Sequence, residues 1–152
     1  MRNDAVFLDT SGWIALLNSA DRLHWAAVAA WREKVRNGSV MIVTDWIIAE
    51  TGNGLARSRA RGPFARAVRL LSTSPEFRVV MIDDELLTSE IELYESRPDK
   101  SWGRVDCASF VVMTRQGIRE ALTHDRHFEQ AGFHCLLSGP GQSQGGSNGS
   151  AR

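Results

Sequence analysis

Four short apolar runs, at residues 5–8, 40–44, 79–82 and 121–123, constrain this chain more than any other feature, because none of them alternates between apolar and polar positions. A strand with one wet face alternates; a run that is apolar throughout has both faces covered, as in a parallel sheet flanked by helices. Residues 133–137 suit a fifth strand, at the sheet edge. Between the runs, apolar residues recur at three- and four-residue steps over 13–18, 23–35, 46–59, 64–71, 86–94 and 105–115, which predicts helices there. Strands alternating with helices imply an α/β fold with a parallel sheet. Right-handed crossovers then bring the carboxyl ends of the strands, and the loops that follow them, to one edge.

The 152 residues, 43% of them hydrophobic, suit one domain with one core, over residues 1–138. From 139 to 152 the chain is rich in Gly and Ser and nearly devoid of apolar side chains, so it is expected to be a disordered tail. Eighteen basic residues balance eighteen acidic ones, which leaves no global field for a polyanion; a nucleic-acid surface would have to be a local patch. Cys107 and Cys135 lack the spacing of a zinc or redox motif and read as buried, reduced thiols. The chain shows neither a signal peptide nor an apolar stretch of membrane-spanning length, and a cytoplasmic location with no membrane association is expected.

Asp9 ends the first strand and Asp125 follows the fourth, so the topology carries two distant carboxylates to the same edge. Glu50 lies in the helix after the second strand and Asp106 opens the helix of VDCASFVVM; both can point to that edge. Two carboxylates about 6 Å apart repel by roughly 3 kcal/mol at an effective dielectric near 20, so such a cluster calls for a cation. Hard oxygen donors favour Mg2+ or Mn2+ over zinc, and such an ion suits phosphodiester hydrolysis. An Asp at a strand end is equally a common helix N-cap, whereas Glu50, in a helix interior beside Ile47, Ile48 and Ala49, has no capping role.

At these residues the chain resembles the PIN-domain ribonucleases, in particular VapC-type toxins: FLDTSGWIALLN, TDWIIAET, VDCASFVVM and ALTHDRHFEQAGF occur in the right order across residues 5–137. The resemblance implies a three-layer α/β/α sandwich around a mainly parallel sheet of four or five strands. It also implies that Asp9, Glu50, Asp106 and Asp125 bind one or two Mg2+ or Mn2+ ions, with Asp9 central. In such enzymes a metal-activated water attacks the scissile phosphate of RNA, leaving a 5′-phosphate and a 3′-hydroxyl. Thr10, Ser11 and Thr123 match hydroxyl positions that orient the carboxylates or a water. The chain departs from the pattern before Asp106, where Gly103 and Val105 replace hydroxyl residues and two supporting hydrogen bonds are missing.

Arg57, Arg59, Arg61, Arg66 and Arg69 make a local basic surface for an RNA backbone, and Arg104 stands where it can act on phosphate or damp the neighbouring acid. Asp83, Asp84, Glu85, Glu90, Glu92 and Glu95 are expected on an exposed acidic helix face, most of the five tryptophans in core or interface, and His124 on a loop surface. His24, His124, His127 and His134 show no ligand spacing. The expected partners are RNA, a small antitoxin that inserts a peptide near the acidic pocket, and a second copy of the chain. A housekeeping RNA-processing nuclease would carry the same acids, and a silent RNA- or protein-binding module would keep the fold. A phosphoacceptor receiver domain needs a lysine late in the chain, and the two lysines are Lys34 and Lys100.

Overall fold

Val6, Phe7, Leu8, Met41, Ile42, Val43, Ala121 and Leu122 have essentially no solvent exposure, as continuous apolar strands buried on both faces require. In the computed structural model, residues 4–137 are described. The expected boundary at 138 and the tail over 139–152 lie outside the described residues. The elements run β1 (Ala5–Leu8), α1 (Thr10–Leu17), α2 (His24–Arg36), β2 (Val40–Thr44), α3 (Asp45–Gly54), α4 (Arg61–Leu71), β3 (Phe77–Val80), α5 (Asp84–Ser96), α6 (Arg104–Gln116), β4 (Glu120–Leu122), α7 (Arg126–Gln130) and β5 (His134–Cys135). The sheet has five strands in the order β3-β2-β1-β4-β5, and every pairing is parallel.

Strand order decides where a ligand can sit. From β1 the chain steps outward to β2 and β3, then returns across the sheet to β4 on the other side of β1. Right-handed connections therefore put α1–α4 on one face and α5–α7 on the other, and the direction of winding reverses between β1 and β4. At that reversal the loops leaving the two strands diverge and open a crevice. The predicted fifth strand is the edge strand, shortened to two residues.

α1 and α4 each begin three residues before the expected start and β3 lies two residues earlier than expected, and two helices differ more. The helix expected to 59 ends at Gly54, and residues 55–60 form turns in which Ser58 Oγ accepts from the backbone of Ala60 at 3.0 Å. The short helix α7 was not anticipated; five residues are too few to show helical periodicity, but Asp125 caps it and Phe128 anchors it in the core. Pro63 falls in the first turn of α4, where helix N–H groups have no intrahelical acceptor to lose.

One glycine sets the distance between α1 and β4. A Cβ on Gly12 would lie 2.1 Å from the carbonyl oxygen of Leu122, so only glycine lets the first turn of α1 rest on the end of β4. That approach brings Ser11 and Thr123 together, although they are 112 residues apart.

Candidate active site

Asp9, Thr10, Ser11, Ile14, Asp21, Glu50, Asp106, His124 and Asp125 line one cleft of about 390 Å³ at the crevice between the carboxyl ends of β1 and β4. All four carboxylates expected from the sequence line it. Asp21 does too, and sequence reading missed it; its Oδ1 accepts from the backbone N–H of Leu23 at 2.8 Å.

Asp9 occupies the N-cap position of α1, yet its side chain makes no capping bond to the helix. Its Oδ2 instead accepts from Thr123 Oγ1 at 2.8 Å and from Ser11 Oγ at 3.4 Å. Those two hydroxyls lie 2.9 Å apart, and they accept in turn from the backbone N–H groups of Asp125 and His124, at 3.0 and 3.1 Å. The network is continuous from the end of β1 to the loop after β4. Burial pushes the Asp9 pKa up to about 7, with Asp125 and Asp106 adding to the rise and the Thr123 hydrogen bond opposing it.

Glu50 sits exposed in the interior of α3 and accepts from Thr10 Oγ1 at 2.5 Å. The start of its helix is fixed twice: Thr44 caps it by accepting from Ile47 N at 3.1 Å, and Asp45 Oδ1 accepts from Ile82 N, just beyond β3, at 2.9 Å. Asp106 lies in the first turn of α6 and its Oδ2 accepts from the Gly103 N–H at 3.0 Å. Burial raises its pKa, against the lowering effect of Gly103 and His127. Asp125 is the N-cap of α7, its Oδ1 accepting from His127 N at 2.9 Å. The capping reading is thus right for one oxygen of Asp125 and leaves the other available. Among the described residues, Glu50 Oε2, Asp106 Oδ1 and Asp125 Oδ2 accept no hydrogen bond from a side chain or capping N–H.

His127 belongs to the site, and sequence reading did not select it. Its Nδ1 lies 2.9 Å from Asp106 Oδ2 and 3.5 Å from Asp125 Oδ1, so that these three residues bring possible ligand atoms within 4.8 Å of one another. The one signal in the sequence was its place two residues after Asp125. Two carboxylate charges at such a separation repel by about 3 kcal/mol at an effective dielectric near 20. Together with the buried Asp9, the arrangement suits a divalent cation on hard oxygen donors, which would remove the cost of ionising all the acids at once.

Two charged residues depart from expectation. Glu90 is fully buried, unlike the exposed Asp83, Asp84, Glu85, Glu92 and Glu95 around it. Arg104, expected to reach phosphate or damp Asp106, forms an ion pair with Glu90 and lies over the Trp46 ring at 5.3 Å from its centroid. Helical periodicity put Glu90 among solvated neighbours; the packing of α5 on α6 covers it. Arg57, Arg59, Arg61, Arg66 and Arg69 are exposed, on the turns after α3 and on α4, and Arg61 also donates to the Ala56 carbonyl at 3.1 Å. Trp13 and Trp102 are buried, Trp31 and Trp46 half-buried, and Trp25 is exposed. His124 is exposed on its loop. The thiols of Cys107 and Cys135 are buried and not disulfide-bonded, and burial pushes their pKa values up to about 11 and about 12.

Comparison with known proteins agrees with this fold. The sequence profile of the PIN domain matches residues 6–134. A curated relative described as the 23S rRNA-specific endonuclease VapC20 of Mycobacterium tuberculosis (strain CDC 1551 / Oshkosh) is 31% identical over 128 residues, covering 84% of this chain and 95% of the relative. Its counterpart in strain ATCC 25618 / H37Rv matches to the same extent. The crystal structure of M. tuberculosis VapC20, described as a Sarcin-Ricin loop cleaving toxin, superposes with a TM-score of 0.75 at 30% identity, over 84% of this chain and 95% of that one.

Proposed function

Because this chain belongs to the PIN-domain family, we propose that it is a divalent-metal-dependent endoribonuclease, the toxin of a toxin–antitoxin pair that cuts structured RNA in the cytoplasm. The observation that carries the reading is the joint lining of one cleft by Asp9, Glu50, Asp106 and Asp125 at the reversal between β1 and β4. These residues would hold Mg2+ or Mn2+. When bound, the cation supplies a water nucleophile at neutral pH and positive charge for the phosphoryl oxygens.

The protein's own contribution is orientation. Thr123 and Ser11 fix the plane of the Asp9 carboxylate, and Thr10 holds Glu50 from across the cleft. Every acid has one oxygen held by the protein. Preset geometry of this kind spares the reaction the cost of ordering ligands as the transition state forms. The exposed arginines between residues 57 and 69, at the end of the helix that carries Glu50, are proposed to bind the RNA backbone. Arg104 joins them only in part, since Glu90 already balances its charge.

An antitoxin partner is supported by a second, apolar cleft of about 520 Å³ between α1, α2 and α4. Trp13 and Trp31 line it, and the indole N–H of each is buried without an acceptor among the described residues. Exposed Met81, Leu87 and Tyr94, on and before α5, offer apolar surface for a homodimer.

The test is cleavage of 23S rRNA and of its isolated sarcin-ricin stem-loop by the parent and Asp9→Asn, with Mg2+, Mn2+ or EDTA. Cleavage by the parent with either ion, lost in EDTA and in the variant, is expected. Equal cleavage under all conditions would exclude the metal-nuclease reading.

A further inference from the structure

We propose that His127 is a positioning residue that holds Asp106 and Asp125 in register with each other, a task for which Gly103 and Val105 offer no polar side chain. The proposal rests on the reading of these acids as cation ligands, but part of its test needs no cation.

The need arises at the start of α6. Gly103 is the N-cap and has no side chain with which to accept from the first turn. Asp106 reaches back to the Gly103 N–H at 3.0 Å, and this single contact would leave the carboxylate free to swing about its side-chain torsions. His127 Nδ1 meets the same oxygen, Oδ2, at 2.9 Å. Two donors on one oxygen fix the carboxylate plane and leave Oδ1 for a ligand. On its other side the ring faces Ser101, whose Oγ lies 3.2 Å from Nε2. A carboxylate has no proton to give, so Nδ1 must carry one; a neutral ring then accepts from the Ser101 hydroxyl at Nε2. The contacts select one tautomer.

The same residue also holds the fourth acid. The His127 backbone N–H donates to Asp125 Oδ1 at 2.9 Å, so that main chain and side chain of one residue bind carboxylates from two segments. Short as α7 is, its position is fixed from several sides. Phe128 is fully buried, 6.1 Å from the Phe7 ring and 5.0 Å from that of Phe110, and Gln130 accepts from Trp102 Nε1 at 3.0 Å. The imidazole is thus mounted on an anchored element rather than on a loose loop. Polar groups that orient ligands in this way typically contribute 10- to 100-fold to metal affinity.

Two measurements test the proposal. Long-range 1H–15N NMR of the parent in EDTA should show a proton on Nδ1 of His127; a ring protonated on Nε2 alone would overturn the assignment. Calorimetry with Mn2+ should show His127→Ala binding about 10- to 100-fold more weakly, and His127→Asn, whose Nδ2 stands where the ring nitrogen stood, within about threefold of the parent. Unchanged binding by His127→Ala would overturn the proposal. Equal weakness of both variants would also overturn it. A parent that takes up no Mn2+ would refute the proposed function, while the tautomer would still decide the role of His127.

Discussion

Replacing Asp9 by Asn should make the cation-free protein more stable, and increasingly so as the pH rises. Asp9 is 5% exposed and its pKa is raised from 3.8 to about 7, chiefly by burial. The shift has the opposite sign to that of a salt-bridged aspartate. Between pH 3.8 and 7 the folded chain keeps a proton that the unfolded chain has released, so stability is lost as pH climbs through that window and levels off above it. About three pKa units at about 1.4 kcal/mol each give a loss of about 4 kcal/mol by pH 8, an upper value because a relaxing site admits some water. At pH 5 about 2 kcal/mol of it has already been lost. Asn carries no charge and still accepts from Thr123, so it escapes this loss. For a domain of this size about 1 kcal/mol moves Tm by about 2–4 °C, so the Tm gap between variant and parent should widen by about 5 °C or more from pH 5 to pH 8 in EDTA. Differential scanning calorimetry at the two pH values measures it. A gap independent of pH would refute the reasoning, since only ionisation of Asp9 makes it grow. Saturating Mn2+ at pH 8 should raise the Tm of the parent far more than that of Asp9→Asn.

Gly12→Ala should destabilise by about 1–3 kcal/mol through overpacking against the Leu122 carbonyl and should depress cleavage as Ser11 moves from Thr123, read by thermal melts and RNA assay together. Thr123→Val removes the hydrogen bond that lowers the Asp9 pKa, so the pH at which Mn2+ begins to bind should rise; calorimetry across pH 6–9 checks the direction. Arg104→Ala leaves Glu90 buried without its cation and should lower stability, by less than the loss of a fully buried pair because about half of the Arg104 side chain is exposed. Adding Glu90→Leu should recover most of that loss in urea melts, and failure to do so would mean the ion pair is not the source.

The apolar cleft between α1, α2 and α4 and the acidic cleft at the sheet edge share one element. Trp13 and Leu16 of α1 line the first, while Thr10, Ser11 and Ile14 of the same helix line the second. A partner seated in the apolar cleft would therefore press on the helix whose first turn carries the Asp9 hydrogen-bond network.

The sequence by itself determined the layered architecture and two of the four strand ends that frame the chemistry, with β4 displaced by one residue and β3 by two. Burial on both faces leaves its mark locally, as unbroken apolar runs at 5–8, 40–44 and 121–123, and parallel connection then forces Asp9 and Asp125 to a common edge. Glu50 was legible because an acid in an apolar helix interior has no local task. What depended on contacts between distant segments was not legible. Glu90 has the same local pattern as its solvated neighbours, and only the packing of α5 against Arg104 buries it. His127 sits in a helix too short for periodicity, and its ring gains meaning from Asp106, 21 residues away. The Asp9 carboxylate stands where a helix cap would stand, yet it turns to Thr123 because Gly12 lets α1 settle on β4. Hydrophobic period is written along the chain, whereas hydrogen-bond partners and desolvation are properties of the space between segments, and only the tertiary structure fills that space.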